Sequence, residues 1–422
     1  MFFFMLFMSF FLKKVNMRVV IIGGGAAGFF AAINCAEKNA KAEIIILERG
    51  KSVLGKVKIS GGGRCNVTHA CFVPRDLVKN YPRGSKELLS PFSRFCTGDT
   101  IEWFEKHGVE LKIESDNRMF PVTDDSQTIV DCLWDTAKRL GVKVLTQHQF
   151  EKIQAPKNNN SPWIIGIRNK ENILADKVMF ATGSNPRIWK ILKNLGHDII
   201  EPVPSLFTFN INDERIKGLA GLSVPKATIE VLGTKLKSEG ALLITHWGLS
   251  APAILKLSAW GARTLNELNY QFTIKVNWLS GANIAFILDD LQDFKENHPK
   301  KLIFSNAMFD LPNRLWKKIV KAAGINEKQQ WANISKKSLQ SLAIELTQAK
   351  FEVNGKSTFK EEFVTAGGIN LKNINFKTFE SKVCKNLYFA GEVLNIDGIT
   401  GGFNFQAAWT GGYIVGNSIA NF

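Results

Sequence analysis

A glycine-rich turn near the start of the chain constrains the fold more than any other feature. Residues 18–22 read Arg-Val-Val-Ile-Ile and lead directly into Gly23-x-Gly25-x-x-Gly28, which an alanine-rich run follows. This order predicts a strand, a tight turn and a helix. Gly23 supplies the turn, Gly25 lets the backbone approach a pyrophosphate, and Gly28 lets the helix pack closely on the strand. The sequence therefore predicts a dinucleotide site at the N-terminus of this helix.

A second strand and the acid at its end support that site. Residues 43–47 read Glu-Ile-Ile-Ile-Leu, and Glu48 follows them. It stands about twenty residues after Gly28, where a carboxylate accepts hydrogen bonds from a ribose. The alternative, a glycine-rich turn in some other βαβ unit, leaves Glu48 unexplained.

Length and charge set the class of protein. A chain of 422 residues predicts two or three domains, and 45% hydrophobic with 22% charged residues is typical of a globular protein. The net charge of +16 would suit nucleic acid, anionic lipid or an acidic substrate. Because the lysines are scattered without a long basic block, we favour a generally basic surface over a nucleic-acid partner.

The six cysteines show neither a CxxC pair nor a zinc spacing. Free thiols fit a reducing, cytoplasmic setting. Cys65, His69 and Cys71 lie close together, but three candidate ligands in one short loop are interpreted as incidental, and no metal is expected.

The first sixteen residues form an apolar leader, rich in phenylalanine, that ends near Lys13 and Lys14. It is too short to cross a bilayer, which needs about twenty residues, and it lacks the features of a signal peptide. Met17 stands directly before the first strand, so we expect Met17 to be the natural start and residues 1–16 not to be native. A weak anchor on a membrane surface is the alternative.

A second glycine-rich segment covers residues 55–68. Three consecutive glycines, 61–63, are flanked by Ser60, Arg64 and Asn66. We expect a mobile loop that wraps an anionic or heteroaromatic ligand, because its backbone exposes N–H donors. As a mere linker it would lose much backbone entropy on folding.

The rest of the sequence indicates how the chain divides into domains. A buried strand ends in Ala181-Thr182-Gly183, and Pro202 and Pro204 mark a boundary. The predicted domains are a dinucleotide-binding domain at 17–200 and 365–422, a β-rich substrate domain at 201–277 and 347–364, and an inserted helical domain at 278–346. No repeat of 20 to 50 residues recurs.

The closing segment decides which dinucleotide is expected. A hydrophobic strand ends in Gly391-Glu392, whose carboxylate can bind the ribitol hydroxyls of a flavin. Residues 401–404 then open a helix whose N-terminus can face the carbonyl end of the flavin ring. FAD is therefore the expected cofactor. Since no second glycine fingerprint follows a strand, NAD(P)H would dock only transiently as electron donor, or oxygen would reoxidise the flavin.

Five segments resemble the bacterial BaiN/YhiN-type flavoproteins, a family of NAD(P)/FAD-dependent oxidoreductases that includes the aminoacetone oxidase family. They are Gly23-Gly-Gly-Ala-Ala-Gly28, Lys58-Ile-Ser-Gly-Gly-Gly-Arg-Cys-Asn-Val-Thr68, Thr245-His-Trp-Gly-Leu-Ser250, Thr365-Ala-Gly-Gly-Ile369 and the run from Gly391 to Gln406. The resemblance extends from Met17 to Phe422. The chain departs from the family pattern at Ala251, where glycine is frequent, and at Asn395, where aspartate is frequent.

The resemblance implies an α/β fold in which a Rossmann-like FAD-binding domain carries an inserted β-barrel-like domain, itself interrupted by a small helical domain. The expected cofactor-binding residues are Gly23, Gly25, Ala26, Ala27, Gly28, Glu48, Arg49, Lys56, Lys58, Ser60, Gly61, Gly62, Gly63, Arg64, Cys65, Asn66, Phe150, Ala181, Thr182, Gly183, Gly391, Glu392, Asp397, Gly401, Gly402, Phe403 and Asn404.

The expected function is that of an FAD-dependent oxidoreductase acting on a small organic substrate. Arg64 would stabilise the anionic reduced flavin, and His246 is the candidate acid or base. Two alternatives stay open: a flavin-dependent enzyme that modifies RNA, for which the net charge is weak support, and a flavin-bearing binding or sensor protein without turnover.

Overall fold

The computed structural model describes residues 17–158, 161–357 and 364–421, so the expectation for the leader lies outside the described residues. The chain forms two compact units. The first contains the residues up to Glu201, then Gly367–Ile396, and the chain from Gly401 onwards. The second contains Pro202–Ala366 and Asp397–Thr400.

Among its described residues, the first unit opens with ten strands and seven helices. The strands are β1 Met17–Ile22, β2 Ala42–Leu47, β3 Thr68–His69, β4 Leu111–Ile113, β5 Arg118–Pro121, β6 Lys143–Leu145, β7 Phe150–Gln154, β8 Trp163–Ile167, β9 Ile173–Ala175 and β10 Lys177–Phe180. The helices are α1 Ala26–Lys38, α2 Gly55–Gly63, α3 Pro74–Leu77, α4 Ser85–Phe92, α5 Thr97–Lys106, α6 Ser126–Arg139 and α7 Pro186–Asn194, with a 3-10 turn at Val78–Asn80.

The next elements belong mainly to the second unit. The strands are β11 Ile199–Ser205, β12 Thr208–Asn210, β13 Ser223–Val231, β14 Lys237–Ile244, β15 Gly248–Ser250, β16 Gln271–Asn277, β17 Ala349–Asn354 and β18 Lys356–Ser357. The helices are α8 Pro252–Trp260, α9 Ala262–Glu267, α10 Ile284–Asn297, α11 Asn313–Ala322 and α12 Lys336–Thr347, with a 3-10 turn at Trp331–Asn333.

The chain ends with the remaining elements of the first unit. They are β19 Val364–Ile369, β20 Ile374–Asn375, β21 Glu380–Ser381, β22 Leu387–Phe389 and α13 Phe403–Ala420, with a 3-10 turn at Leu371–Asn373. Strands β11 and β19 each cross a boundary between the units.

The sheet of the first unit has seven strands in the order β20-β21-β22-β10-β1-β2-β6. Strand β1 pairs in parallel with β2 on one side and with β10 on the other, so that Ile22 lies opposite both Leu47 and Phe180. Its β-branched residues are buried almost completely, as expected for a strand covered on both faces. Because the strand order reverses at β1, the carboxyl ends of β1, β2 and β10 border the crevice where this class of sheet binds ligands.

The first and last helices of this unit pack against each other through small residues. A Cβ atom on Gly416 of α13 would lie 2.5 Å from the carbonyl oxygen of Ala31 in α1, and one on Gly412 would lie 2.8 Å from that of Ala27. Only glycine permits such an approach. The C-terminal helix is thereby fixed against the helix that carries the first glycine fingerprint.

The second unit is built on an antiparallel sheet with the order β17-β16-β13-β14-β15-β12-β18. The helices α10, α11 and α12 do not have a separate core. Trp316 and Trp331 from the helical segment belong to the same cluster of buried side chains as Trp278 and Phe351 from the sheet side.

One expectation about local structure needs correction. The segment 55–68 is not a loop throughout, because residues 55–59 form regular helix within α2 and bury Val57. The glycines act later, at a kink where Gly61 and Gly62 adopt φ values of 59° and 70°. Pro202 and Pro204 lie inside strand β11, at the boundary between the units.

Throughout residues 17–158, 161–357 and 364–421, no helix combines the length and the apolar character needed to cross a lipid bilayer.

Ala251, which stands where the family pattern has glycine, adopts a conformation that suits glycine. It precedes α8 with φ of 77° and ψ of 179°. This region is essentially restricted to glycine, and another residue held there costs about 1–3 kcal/mol.

We therefore expect Ala251→Gly to raise the thermal midpoint of the holoprotein. Relief of backbone strain should exceed the entropy cost of the added glycine, for a net gain of about 1 kcal/mol. Ala253→Gly is the control, because Ala253 lies within α8. That change should destabilise by about 1 kcal/mol. If differential scanning fluorimetry shows that both variants shift the thermal midpoint in the same direction, the backbone at Ala251 is not strained.

Candidate cofactor-binding site

The first glycine turn is fixed by backbone approaches that exclude side chains. A Cβ atom on Gly23 would lie 2.4 Å from the carbonyl oxygen of Ala181 at the end of β10, and one on Gly28 would lie 2.2 Å from that of Gly23. Gly23 has φ of 114°. The turn thus holds β1, α1 and the chain after β10 together, as the spacing predicts.

Gly25 differs from its neighbours because the space beside it is open. A Cβ atom there would meet nothing within 4 Å, and the backbone has φ of −96°. Gly25 is the N-cap of α1, where no side chain caps the helix and the first turn carries no acid. The first N–H groups of α1 therefore face an open space at the positive end of the helix dipole, which suits a diphosphate.

Glu48 lies beside the open space at Gly25. Its Oε2 accepts a hydrogen bond from the N–H of Gly24 at 3.1 Å, and its Oε1 accepts one from Gly50 at 2.7 Å. Two backbone donors thus orient the carboxylate at the end of β2, next to the glycine turn. This position fits the predicted contact with a ribose.

An ion pair lies at the same edge of the sheet, just after the end of β22. The Nζ atom of Lys56 is 2.6 Å from Oε2 of Glu392. A Cβ atom on Gly183 would lie 3.6 Å from that same oxygen. Lys56, Gly183 and Glu392, all expected at the cofactor, therefore come together although they are far apart in sequence.

Two buried hydroxyl groups after β10 find no hydrogen-bond partner among the residues that the structure describes. They are Oγ1 of Thr182 and Oγ of Ser184, and they flank Gly183. Burying a hydroxyl without a partner is unfavourable, and most such groups are satisfied by protein, water or ligand. The open space at Gly25, the uncapped helix and these hydroxyls fit an elongated polar cofactor such as FAD along the carboxyl edge of the sheet. Ser184 was missed by sequence reasoning, although its position after Thr182-Gly183 could have suggested it.

The start of α13 is fixed by the segment that follows α2. With its amide oriented to donate to the carbonyl oxygens of Thr68 and Met119, Asn66 accepts a hydrogen bond from the N–H of Gly402 at 3.0 Å. The buried hydroxyl of Tyr81 donates to the carbonyl oxygen of Phe403 at 2.6 Å. Asn66 therefore positions the Gly401-Gly402 turn, and its predicted contact with the cofactor stays a prediction.

A buried network continues from this point and was also missed. The hydroxyl of Thr68 donates to Oε1 of Gln406 at 2.6 Å, and that of Thr100 donates to the same oxygen at 3.0 Å. The Nε2 atom of Gln406 donates to Thr410 at 3.1 Å. A glutamine on the inner face of a mostly apolar helix is the signal that could have identified it.

Arg64, expected to stabilise a reduced flavin, has other partners. Its Nη1 lies 2.6 Å from Oε1 of Glu114 and 3.2 Å from Oδ1 of Asp124, and its guanidinium lies 4.0 Å from the ring centre of Phe120. Two carboxylates offset its charge. These contacts stabilise the β3-β5-β4 sheet. Its role towards a flavin stays a prediction.

Cys65 is fully buried, and burial raises the pKa of its thiol to about 12. A thiol with such a pKa is inert as a nucleophile or ligand near neutral pH. His69 lies with Nδ1 at 3.1 Å from the carbonyl oxygen of Gly401. The described parts of the chain contain no group of three or more His, Cys, Asp or Glu side chains that could hold a metal.

The other expected cofactor residues fall into two groups. Ala26, Ala27, Arg49, Lys58, Gly63, Gly391, Gly401 and Asn404 lie in the first unit on or beside the elements described above. Phe150 is buried and makes an edge contact with Phe180 at 5.3 Å between ring centres. Asp397 belongs to the second unit, where it is fully buried and accepts a hydrogen bond from Ser205 at 2.8 Å.

His246 lies in the second unit, on the exposed tip between β14 and β15. With Asp213, Lys217 and Thr245 it borders a cleft of about 300 Å³. It is therefore accessible to a substrate, in contrast to a histidine satisfied inside a core.

A family model described as "HI0933-like protein Rossmann domain" matches residues 17–418. The chain is similar to two proteins named ribosomal RNA dihydrouridine synthase. One, from Haemophilus influenzae, is 28% identical over 95% of this chain and 98% of that protein. The other, from Escherichia coli K12, is 26% identical over 93% of this chain and 95% of that protein.

Two further likenesses come from proteins with other names. The 3-dehydro-bile acid delta(4,6)-reductase of Clostridium scindens is 24% identical over 96% of this chain and 99% of that protein. The solved structure of a 3-ketosteroid delta1-dehydrogenase from Sterolibacterium denitrificans shares the fold, with a TM-score of 0.51, 10% identity, and coverage of 96% of this chain and 99% of that one.

The open space at Gly25 gives a sharp test of the site. In Gly25→Ala the new methyl group meets no protein atom, so the fold should be kept. The same methyl group should obstruct the diphosphate and weaken FAD binding about tenfold or more. FAD content after purification and the dissociation constant from flavin fluorescence quenching measure the effect.

Gly98→Ala is the matched control, because Gly98 lies in α5 with nothing within 4 Å of its Cβ position. It should leave FAD affinity unchanged. Equal FAD affinity in Gly25→Ala and the unaltered protein would show that the diphosphate does not lie there.

Proposed function

The chain belongs to the HI0933-like family and is an FAD-dependent oxidoreductase, and we propose that it reduces a carbon–carbon double bond conjugated to a carbonyl group. The observation that carries this proposal is that three relatives, each matched over more than nine-tenths of both chains, have names that describe such a reduction.

The two kinds of enzyme that these names describe carry out the same type of reaction on different substrates. Uracil has a double bond between C5 and C6 conjugated to the carbonyl group at C4, and dihydrouridine is the product of its reduction. A 3-dehydro-bile acid with delta(4,6) unsaturation has double bonds conjugated to the carbonyl group at C3. When bound and reduced, FAD supplies a hydride for an acceptor of this kind.

We propose a uridine of ribosomal RNA as the substrate. The sequence alone favoured a small organic molecule, and the bile-acid reductase supports that as the second candidate. Two relatives of higher identity carry the RNA-modifying name, and the net charge of +16 suits a polyanion. The overall reaction converts uridine, NAD(P)H and a proton into dihydrouridine and NAD(P)⁺.

Different residues of this chain would bind the cofactor and supply the proton. The N-terminus of α1 and the glycine turn would hold the diphosphate, Glu48 a ribose, and Lys56 with Glu392 the region next to β22. The proton added to the substrate carbon requires an acid, and His246 is our candidate because it is exposed beside a cleft.

We expect the purified holoprotein to form dihydrouridine in ribosomal RNA that was transcribed in vitro and therefore carries no modification. The reaction is run without oxygen, with NADH or NADPH, and nucleosides from digested RNA are analysed by mass spectrometry. The Gly25→Ala variant, depleted of FAD, is the control and should form little product.

A parallel reaction offers a 3-oxo-delta(4) steroid instead of RNA. Reduction of the steroid without any dihydrouridine would reject RNA as the substrate and favour the second candidate. Reduction of neither, while NADPH still bleaches the flavin, would reject both.

His246→Gln should lower the rate of substrate reduction by roughly a hundredfold or more, because loss of a general acid typically costs 10²–10⁴-fold. Bleaching of the flavin by NADPH should be unchanged, since no substrate is protonated in that step. His298→Gln, a change in the helical segment of the same unit, is the control and should leave both rates unchanged. An unaltered rate in His246→Gln would exclude this role.

A further inference from the structure

Helix α11 carries a row of positive charge on its exposed side. Positions i, i+3, i+4 and i+7 lie on one face of a helix. In α11 those positions are Arg314, Lys317, Lys318 and Lys321, which we call the α11 row. The opposite face is buried against the core of the second unit by Leu315, Trp316, Ile319 and Val320.

Carboxylates offset little of the charge of the α11 row: Lys318 interacts electrostatically with Glu214, but the Glu214 carboxylate is exposed and already pairs with Lys217. Lys318 donates to the carbonyl oxygen of Glu214 at 3.0 Å, and Arg314 donates to that of Gly218. In the described ranges, no member of the row forms an ion pair with an acidic side chain. Arg215 nearby shows the contrast, since Asp213 at 2.7 Å and Glu345 at 2.8 Å neutralise it.

The α11 row continues into the cleft that His246 borders. The two carbonyl groups that it contacts belong to residues 213–218, and Lys217 of that segment lines the cleft. The ion pair of Lys217 with Glu214 is largely exposed to solvent, so it offsets little of the charge at this edge. The positive surface and the cleft therefore form one continuous feature of the second unit.

An exposed aromatic side chain directly follows His246, which borders the cleft. Trp247, at the tip between β14 and β15, is 59% exposed. Its backbone is well held, because its carbonyl oxygen accepts a hydrogen bond from Ile211 at 2.9 Å and its N–H donates to Thr245 at 3.2 Å. The backbone thus holds Trp247 at the tip with its ring exposed, where the ring is available for stacking on a flat partner.

We propose that the α11 row, Lys217 and Trp247 form the surface that binds a single-stranded segment of the RNA substrate. The cations contact phosphates and Trp247 stacks on a base, the combination by which proteins bind single strands. The inference rests on the proposed function for the identity of the RNA. It assigns the binding to residues of the second unit.

An anionic membrane is the competing partner for a basic surface. Stable binding to a bilayer surface requires a large apolar face beside the cations. In α11 the large apolar side chains Leu315, Trp316, Ile319 and Val320 are all buried, so the α11 row offers a partner charge rather than a large apolar face. This favours a strand that offers phosphates and flat bases.

The test compares two triple variants that remove the same charge. One is Lys317→Gln, Lys318→Gln, Lys321→Gln in the α11 row. The control is Lys328→Gln, Lys336→Gln, Lys337→Gln, at exposed lysines elsewhere in the helical segment. Binding of fluorescein-labelled single-stranded RNA is followed by anisotropy over a range of salt concentrations. FAD content and thermal midpoint confirm that both variants fold.

The α11 variant should bind RNA at least about tenfold more weakly, and the slope of log affinity against log salt should fall by about 0.7 for each phosphate that the variant no longer neutralises. The control variant should keep the slope of the unaltered protein. Trp247→Ala should weaken binding roughly 5- to 100-fold without changing the slope, because it removes stacking but no charge. Trp247→Phe should restore most of the affinity.

Equal losses of affinity in the two triple variants would overturn the assignment to α11. So would binding of the unaltered protein to phosphatidylglycerol vesicles but not to RNA. If the protein binds RNA with the expected variant effects yet forms no dihydrouridine in ribosomal RNA, the surface stands and the proposed function fails.

Discussion

The close approach of three backbone segments at the first glycine turn is the constraint on which the cofactor site depends. Side chains at Gly23 or Gly28 would overlap the carbonyl oxygens of Ala181 and Gly23. Without side chains there, β1, α1 and the end of β10 meet, and the N-terminus of α1 opens at the carboxyl edge of the sheet. Gly25 differs because its open side faces no protein atom. The same motif therefore contains two glycines that the fold requires and one whose open side leaves room for a ligand.

The C-terminal helix packs against α1 because glycines again allow two backbones to approach closely. Gly412 and Gly416 bring α13 against the backbone of α1. Asn66 and Tyr81 fix the first turn of α13 by hydrogen bonds to Gly402 and Phe403. The first and last described elements, β1 with α1 and β22 with α13, thus share one sheet and one helix pair. This explains how Glu48 and Glu392, more than three hundred residues apart, lie at the ends of strands in the same sheet.

The sequence predicted the elements whose signal is local. The strand, glycine turn and helix around Gly23 were predicted because the spacing of three glycines has few other uses, and the family resemblance is confirmed. What it could not predict depends on long-range contacts. Residues 55–59 are helical because Val57 is buried, whereas the neighbouring glycines favoured a loop. The partners of Arg64, at Glu114 and Asp124, and the unsatisfied hydroxyls at Thr182 and Ser184 also arise only when distant segments meet.

The distribution of charge separates residues that support the fold from those available to a partner. Near the cofactor site and in the sheets, cations are paired: Lys56 with Glu392, Arg64 with Glu114, and Arg215 with Asp213 and Glu345. On α11 they are not, and like charges three and four residues apart destabilise a helix slightly. A scattered excess of lysine looks like a general surface property in sequence. Once α11 is folded, part of that excess lies on one face beside a cleft, and a polyanion is the partner that would turn its mutual repulsion into binding energy.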